Sequence, residues 1–150
     1  MTQLSYKSAN ELAKMVLDKE ISSSELLEYF IKRVESYNPS INAIIVKNYD
    51  EARKQARELD EKLLKGEILG ALHGVPMTVK ESYGVKNTPT TYGRPDLKDN
   101  IVKEDALSIQ RLKNSGAVIF GKTNVPFNLA DFQSYNDIYG TTNNPWNLAK

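Results

Sequence analysis

Leu72-His73-Gly74-Val75-Pro76-Met77-Thr78-Val79-Lys80-Glu81-Ser82 is the stretch on which the reading of this chain turns. Val75, Met77 and Val79 alternate with Pro76, Thr78 and Lys80, so the run predicts a strand with one apolar face and an amine at its end. Lys80 has two readings. It is either a solvated cation closing a strand, because lysine is rarely buried without a task, or a lysine that moves protons. A lysine that accepts a proton near neutral pH must be held well below its ordinary value of about 10.4, which takes apolar walls or other cations.

Upstream of the strand, Ser8-Ala9-Asn10-Glu11 is a capping box, followed by Ala9, Leu12, Ala13, Val16 and Leu17 at one-face helical spacing. Ser22-Ser23-Ser24-Glu25 repeats the signal, and the stripe Leu26, Leu27, Phe30, Ile31 and Val34 predicts a second helix that ends at Asn38-Pro39. Serines placed just before such a stripe read as caps, not as nucleophiles. Ile41 to Val46 suits a buried strand. Asn48 to Lys65 predicts a long amphipathic helix with Ala52, Ala56, Leu59 and Leu63 inward. Asp50/Lys54, Glu58/Lys62 and Glu61/Lys65 stand at i,i+4 spacing on its outer face.

Downstream, Tyr83 to Asn100 has no convincing period and interleaves Gly84, Pro89, Gly93 and Pro95 with Thr88, Thr90 and Thr91, which predicts a long loop. Such a loop either carries function or wraps the surface. Asp105 opens the next predicted helix, with Ala106, Ile109 and Leu112 inward and Gly116 at the left-handed position beyond its end. Ala117 to Phe120 then predicts a buried strand. Helices alternating with short apolar strands give an α/β layer structure.

Gly116-Ala117-Val118-Ile119-Phe120-Gly121-Lys122-Thr123 matches the phosphate-loop pattern G-x-x-x-x-G-K-[ST] letter for letter. The match is rejected on context. A phosphate loop needs a strand before the first glycine and a helix opening at the lysine, whereas here a helix precedes and four apolar, β-prone residues intervene.

The segments Gly74-Val75-Pro76-Met77-Thr78-Val79-Lys80-Glu81, Gly116 to Pro126, and Tyr139-Gly140-Thr141-Thr142-Asn143-Asn144-Pro145-Trp146 together resemble the amidase signature family of serine amidohydrolases, over about Ser8 to Lys150. The resemblance implies the amino-terminal part of the amidase signature fold, a mixed β-sheet covered by helices on both sides, with residues 1–150 ending before the Gly/Ser-rich motif that carries the catalytic serines. It implies hydrolysis of a carboxamide to a carboxylic acid and ammonia. In that chemistry Lys80 is the general base of a Ser-Ser-Lys triad, accepting a proton through a bridging serine while a second serine attacks the carbonyl. Leu129 and Asp131 are implied near the acyl-binding pocket. The family often has aspartate where this chain has Glu81 and glutamate where it has Phe127. The second departure leaves substrate preference open.

Both serines are expected beyond Leu148, so the implied machine has one of its three members here. A chain bearing the serines is therefore an expected partner, beside a small-molecule amide substrate. One alternative is a catalytically inactive truncated or split fragment acting in assembly. Another is part of the A subunit of an aminoacyl-tRNA amidotransferase, disfavoured because that subunit tends to carry Asn-Met-Asp-Glu-Phe where this chain has Asn124-Val125-Pro126-Phe127-Asn128.

Composition bounds the rest. Charged residues at 26% and hydrophobic residues at 40% are ordinary globular values, and a net charge of +1 argues against nucleic-acid or anionic-membrane partners. With no cysteine and the single His73, disulfides, thiolate metal sites and multi-histidine clusters are excluded, and no metal or cofactor is expected. The first seven residues lack the apolar run of a signal peptide, and the expected setting is cytoplasmic.

Overall fold

The computed structural model describes residues 4–148, so Met1-Thr2-Gln3, the first part of the amino-terminal stretch read for a signal, lies outside the described residues. Helix α1 (Ala9–Leu17) is opened by Ser8 and helix α2 (Ser23–Ile41) by Ser22. Each cap is a complete capping box, with Glu11 and Glu25 reaching back to the cap residue. A second carboxylate closes the start of α2. Asp60, from helix α3 (Tyr49–Leu64), accepts the backbone N–H of Ser23 at 2.6 Å and of Ser24 at 3.1 Å, placing negative charge at the positive end of α2.

Proline does not end α2 where the sequence predicts. The helix runs through Pro39 to Ile41, and Asn42 closes it in the left-handed region at φ 56°. The missing amide of Pro39 deprives only the carbonyl of Glu35, an exposed residue whose carbonyl water can serve, so the cost stays small at this end of the helix. Strand β1 consequently begins late, at Ile44–Lys47 instead of Ile41. Asn38 makes the corner, accepting from the N–H of Ala43 and Ile44 and donating to Ile44 O.

Strand β2 (Pro76–Lys80) pairs parallel with strand β3 (Val118–Thr123), and β3 pairs antiparallel with β1, giving a mixed sheet in the order β1-β3-β2. The parallel pair is joined by a crossover through the 81–106 loop and helix α4 (Leu107–Asn114). Leu27, Ile31, Ala52, Ala56 and Leu59 from α2 and α3 pack with Val118 and Phe120, while Ile109 of α4 packs with Val79, Val85 and Ile119. The sheet is thus covered by helices on both faces. A small antiparallel pair, β4 (Tyr135–Asn136) and β5 (Gly140–Thr141), lies beyond it in the chain. No helix among the described residues is long and apolar enough to cross a membrane.

Packing corrects two local expectations. None of the i,i+4 pairs read on α3 forms an ion pair among the described residues. Arg53 instead reaches across to Glu28 of α2 at 2.6 Å, because a partner on the neighbouring helix offers two-point contact. Asp105 does not open α4. Ala106 is the cap residue, and Asp105 holds Lys113 at 2.8 Å and the N–H of Lys86.

Gly116, at φ 91°, sits where an added Cβ would lie 2.5 Å from the Cα of His73, whereas Gly66, at φ 79°, has nothing within 4 Å. Gly66→Ala is expected to cost about 1 kcal/mol, for the left-handed backbone alone. Gly116→Ala adds a backbone clash and is expected to cost about 2–4 kcal/mol in urea unfolding. Equal costs at the two positions would contradict the packing described.

Candidate active site

The lysine strand is half as predicted. Val75 and Val79 are buried and Lys80 is exposed at the strand's end, but Pro76 is buried too, because the second face of β2 is roofed in part by α2. Among the described residues the Lys80 ammonium makes no ion pair and no hydrogen bond to a serine hydroxyl. A groove of 760 Å³ runs between α2 and the start of β2, past Phe30, Val34, Met77, Phe120 and the exposed Trp146, and Lys80 does not line it.

The chain's other strand lysine is the buried one. In β3 the register slips by one residue opposite Met77/Thr78, so that Ile119 and then Lys122 face the same layer, with Phe120 turned to the other. Bulges re-aim side chains in this way. Lys122 is only 1% exposed, donates to Thr90 Oγ1 at 2.9 Å, and also donates to the carbonyl of Pro89. Burial pulls its pKa down to about 8, and the charge of nearby Glu81 works the other way. Gly121, before it, is required by contact: a Cβ there would meet Ile44 Cγ2 at 2.9 Å and Val46 O at 3.0 Å. The phosphate-loop pattern therefore spells a packed strand, as its context indicates.

Glu81, next to Lys80, is fully buried. Its carboxylate accepts the N–H of Thr91 at 2.6 Å, the N–H of Tyr92 at 3.0 Å and the hydroxyl of Tyr139 at 3.2 Å. The Tyr139 phenol is pushed up to about 12, by burial first and by the adjacent Glu81 carboxylate, against a lowering hydrogen bond with Thr91. The 83–100 loop is partly internal, with Val85, Thr88, Thr90 and Thr91 inside, while Pro95, Asp96 and residues 98–100 lie at the surface.

Leu129 and Asp131 lie in the turn after β3, both exposed. Asn128 and Leu129 hold φ of 50° and 59°, an unusual consecutive left-handed pair for side-chain-bearing residues. The Asp131 carboxyl is held below its ordinary range, first by the N–H of Gln133 at 3.1 Å. The turn is tied to the lysine strand through two hydrogen bonds, from Asn128 N to Tyr92 O at 2.7 Å and from Tyr92 N to Glu81.

Asparagines organise the chain beyond β3. Asn124 and Asn136 hydrogen-bond each other at 2.9 Å. The side-chain Oδ1 of Asn136 takes the N–H of Ile138 and Tyr139, and the Asn42 side chain donates to the backbone carbonyls of Tyr139 and Thr141. His73 is structural: Nδ1 accepts the Leu69 N–H and Nε2 donates to Leu59 O at 3.1 Å. Lys122, Glu81 and Tyr139 escape the sequence reading. The one available hint is a lysine within an otherwise apolar strand.

Comparison with known proteins places the chain. Residues 25–150 match the family model described as Amidase, and the chain belongs to that family. It is 40% identical over 137 residues to an acylamidase of Rhodococcus erythropolis, covering 91% of this chain and 29% of that protein. It is 34% identical over 150 residues, 100% of this chain and 30% of the relative, to the A subunit of a glutamyl-tRNA(Gln) amidotransferase of Acidothermus cellulolyticus. Its fold superposes on a solved fatty acid amide hydrolase with TM-score 0.90 at 34% identity, covering 95% of this chain and 25% of that one. The chain therefore spans less than a third of each relative's length.

Between about pH 8 and 10.5 the unfolded chain keeps a proton on Lys122 that the folded chain releases, so this group makes stability rise with pH across that window. Urea unfolding of the parent and of Lys122→Met at a series of pH values is expected to shift the difference toward the parent from pH 8 upward. A difference that stays flat would contradict the burial of Lys122.

Proposed function

We propose that this chain contributes the lysine-bearing portion of an amidase that converts a carboxamide and water to a carboxylic acid and ammonia. In this reading Lys80 is the general base of a Ser-Ser-Lys triad, and the bridging and nucleophilic serines come from residues outside these 150. The observation that carries it is the position of Lys80: an amine with no ion pair among the described residues, at the open end of a strand whose next residue is locked inside, in a segment belonging to the Amidase family. A base that must meet a hydroxyl supplied by another segment needs that openness, and in this reading the same segment supplies the apolar enclosure that lets the amine accept a proton.

The chemistry asks the lysine to take the nucleophile's proton through the bridging serine as the carbonyl is attacked, and to return it to the nitrogen that leaves as ammonia; water then cleaves the acyl-serine ester, releasing the carboxylic acid and restoring the serine hydroxyl. Leu129 and Asp131 are assigned to the acyl side of the pocket. The left-handed backbone at Asn128 and Leu129 supports this, since such conformations cluster where geometry serves a ligand.

A second reading, as part of the A subunit of an amidotransferase, is favoured by the match to the Acidothermus protein over the whole of this chain. The free-standing amidase is preferred because Asn124-Val125-Pro126-Phe127-Asn128 departs from that subunit's usual pattern. In the third reading, an inactive assembly fragment, the chain's role is to dock onto a serine-bearing partner.

The test is ammonia release from a panel of aliphatic and aromatic carboxamides, with glutamine included, by the chain alone and joined with a serine-bearing segment. Activity is expected only in the joined form, and Lys80→Ala is expected to abolish it, by about 10³-fold or more. Lys80→Ala that retains activity would remove the lysine from the mechanism. Release from glutamine alone, dependent on a partner protein, would select the second reading, and assembly without activity the third.

A further inference from the structure

Lys80 and Glu81 are consecutive at the end of an edge strand, so their side chains leave on opposite faces. On the inner face two charged groups hold one strip of backbone. Lys122 donates to Pro89 O and Thr90 Oγ1, and Glu81 accepts from Thr91 N and Tyr92 N, so four consecutive residues are gripped from two adjacent strands. The strip in turn carries Asn128 through Tyr92 O, and Glu81 also receives the Tyr139 hydroxyl. The lysine strand, the turn of Leu129 and the segment leading to residue 143 therefore meet at one buried carboxylate.

We propose that Glu81 and Lys122 are positioning residues for the amidase reaction. Together they clamp residues 89–92 so that Lys80 is presented at the open face in one fixed direction and the 127–131 turn in one fixed register. The inference rests on the reading of Lys80 as general base. Apolar side chains of similar volume would fill this interior at lower desolvation cost, but they could not bind two N–H groups, a carbonyl and a hydroxyl on successive residues. The bulge in β3 serves the same end, since strict alternation from Val118 and Phe120 would send Lys122 to the opposite layer.

The clamp is tested in two ways. Native-state amide exchange on the chain itself reports the grip without reference to activity. Glu81→Gln turns one acceptor oxygen into a donor and is expected to speed exchange at Thr91 and Tyr92 by about tenfold or more relative to Ile119 in β3. Tyr139→Phe, which keeps the ring and loses only the hydroxyl, is expected to produce a smaller acceleration at the same two amides.

In the catalytically complete protein, Glu81→Gln and Lys122→Met are expected to lower kcat by about tenfold or more with KM changed less than about threefold, at temperatures where the variants remain folded. Glu81→Asp, which restores the carboxylate, is expected to recover part of the rate. Unchanged exchange at Thr91 and Tyr92 in both Glu81→Gln and Tyr139→Phe would overturn the clamp. Freed amides with an unchanged kcat would overturn its positioning role. Activity surviving Lys80→Ala would instead strike the general-base reading on which the inference stands, while the exchange data would still report the grip.

Discussion

The parallel pairing of β2 with β3, with its one-residue slip, is the constraint on which the site depends. Parallel neighbours need a long crossover, and here that crossover is a loop followed by α4, packed on the face opposite α2 and α3. Part of the loop, around Thr88, Thr90 and Thr91, runs inside, where its backbone polar groups lose water, so something internal has to satisfy them. Glu81 and Lys122 do so from the two paired strands. Because Glu81 is fixed inward, Lys80 points out. One strand end thus carries a buried carboxylate and an exposed amine as neighbours, and neither placement is independent of the other.

Charge inside the protein is costly, and the way it is spread here limits the cost. The Glu81 carboxylate has three donors, and the Lys122 ammonium has a carbonyl and a hydroxyl. No ion pair within 4.0 Å joins the two side chains among the described residues, so each is held mainly by neutral groups and the two interact at longer range. Removing either would leave buried partners without their hydrogen bonds, which is why such networks respond strongly to single changes.

Much of the frame is legible in the sequence. The capping boxes at Ser8 and Ser22 mark both helix starts because their signal is local, and the stripe of Ala52, Ala56 and Leu59 marks the inner face of α3. The lysine strand shows itself by its alternation. Features decided by distant partners or by context do not show. Pro39 is tolerated because it falls in an exposed last turn. Arg53 lies closer to Glu28 on another helix, at 2.6 Å, than to Asp50 on its own, at 3.6 Å. Lys122 reads only as part of a false phosphate-loop pattern, because no local signal announces a bulge that turns a strand lysine inward. Glu81 reads only as a mild departure from aspartate. Its burial depends on amides of Thr91 and Tyr92 supplied by a loop with no periodicity. The general-base role of Lys80 and the placing of Leu129 and Asp131 enter by family resemblance, and the tie between the two segments through Tyr92 is a tertiary fact.

Two lysines at adjacent strands of one sheet, one open and one enclosed, define the division on which the site rests. Trace labelling of the folded chain with acetic anhydride, read residue by residue by mass spectrometry, addresses that division directly. Lys80 is predicted to acetylate at the rate of the exposed surface lysines, while Lys122 stays unmodified until the chain is unfolded. Labelling of Lys122 in the folded chain at a rate comparable to Lys80, or protection of Lys80 alongside it, would contradict the arrangement from which the site and its proposed chemistry are argued.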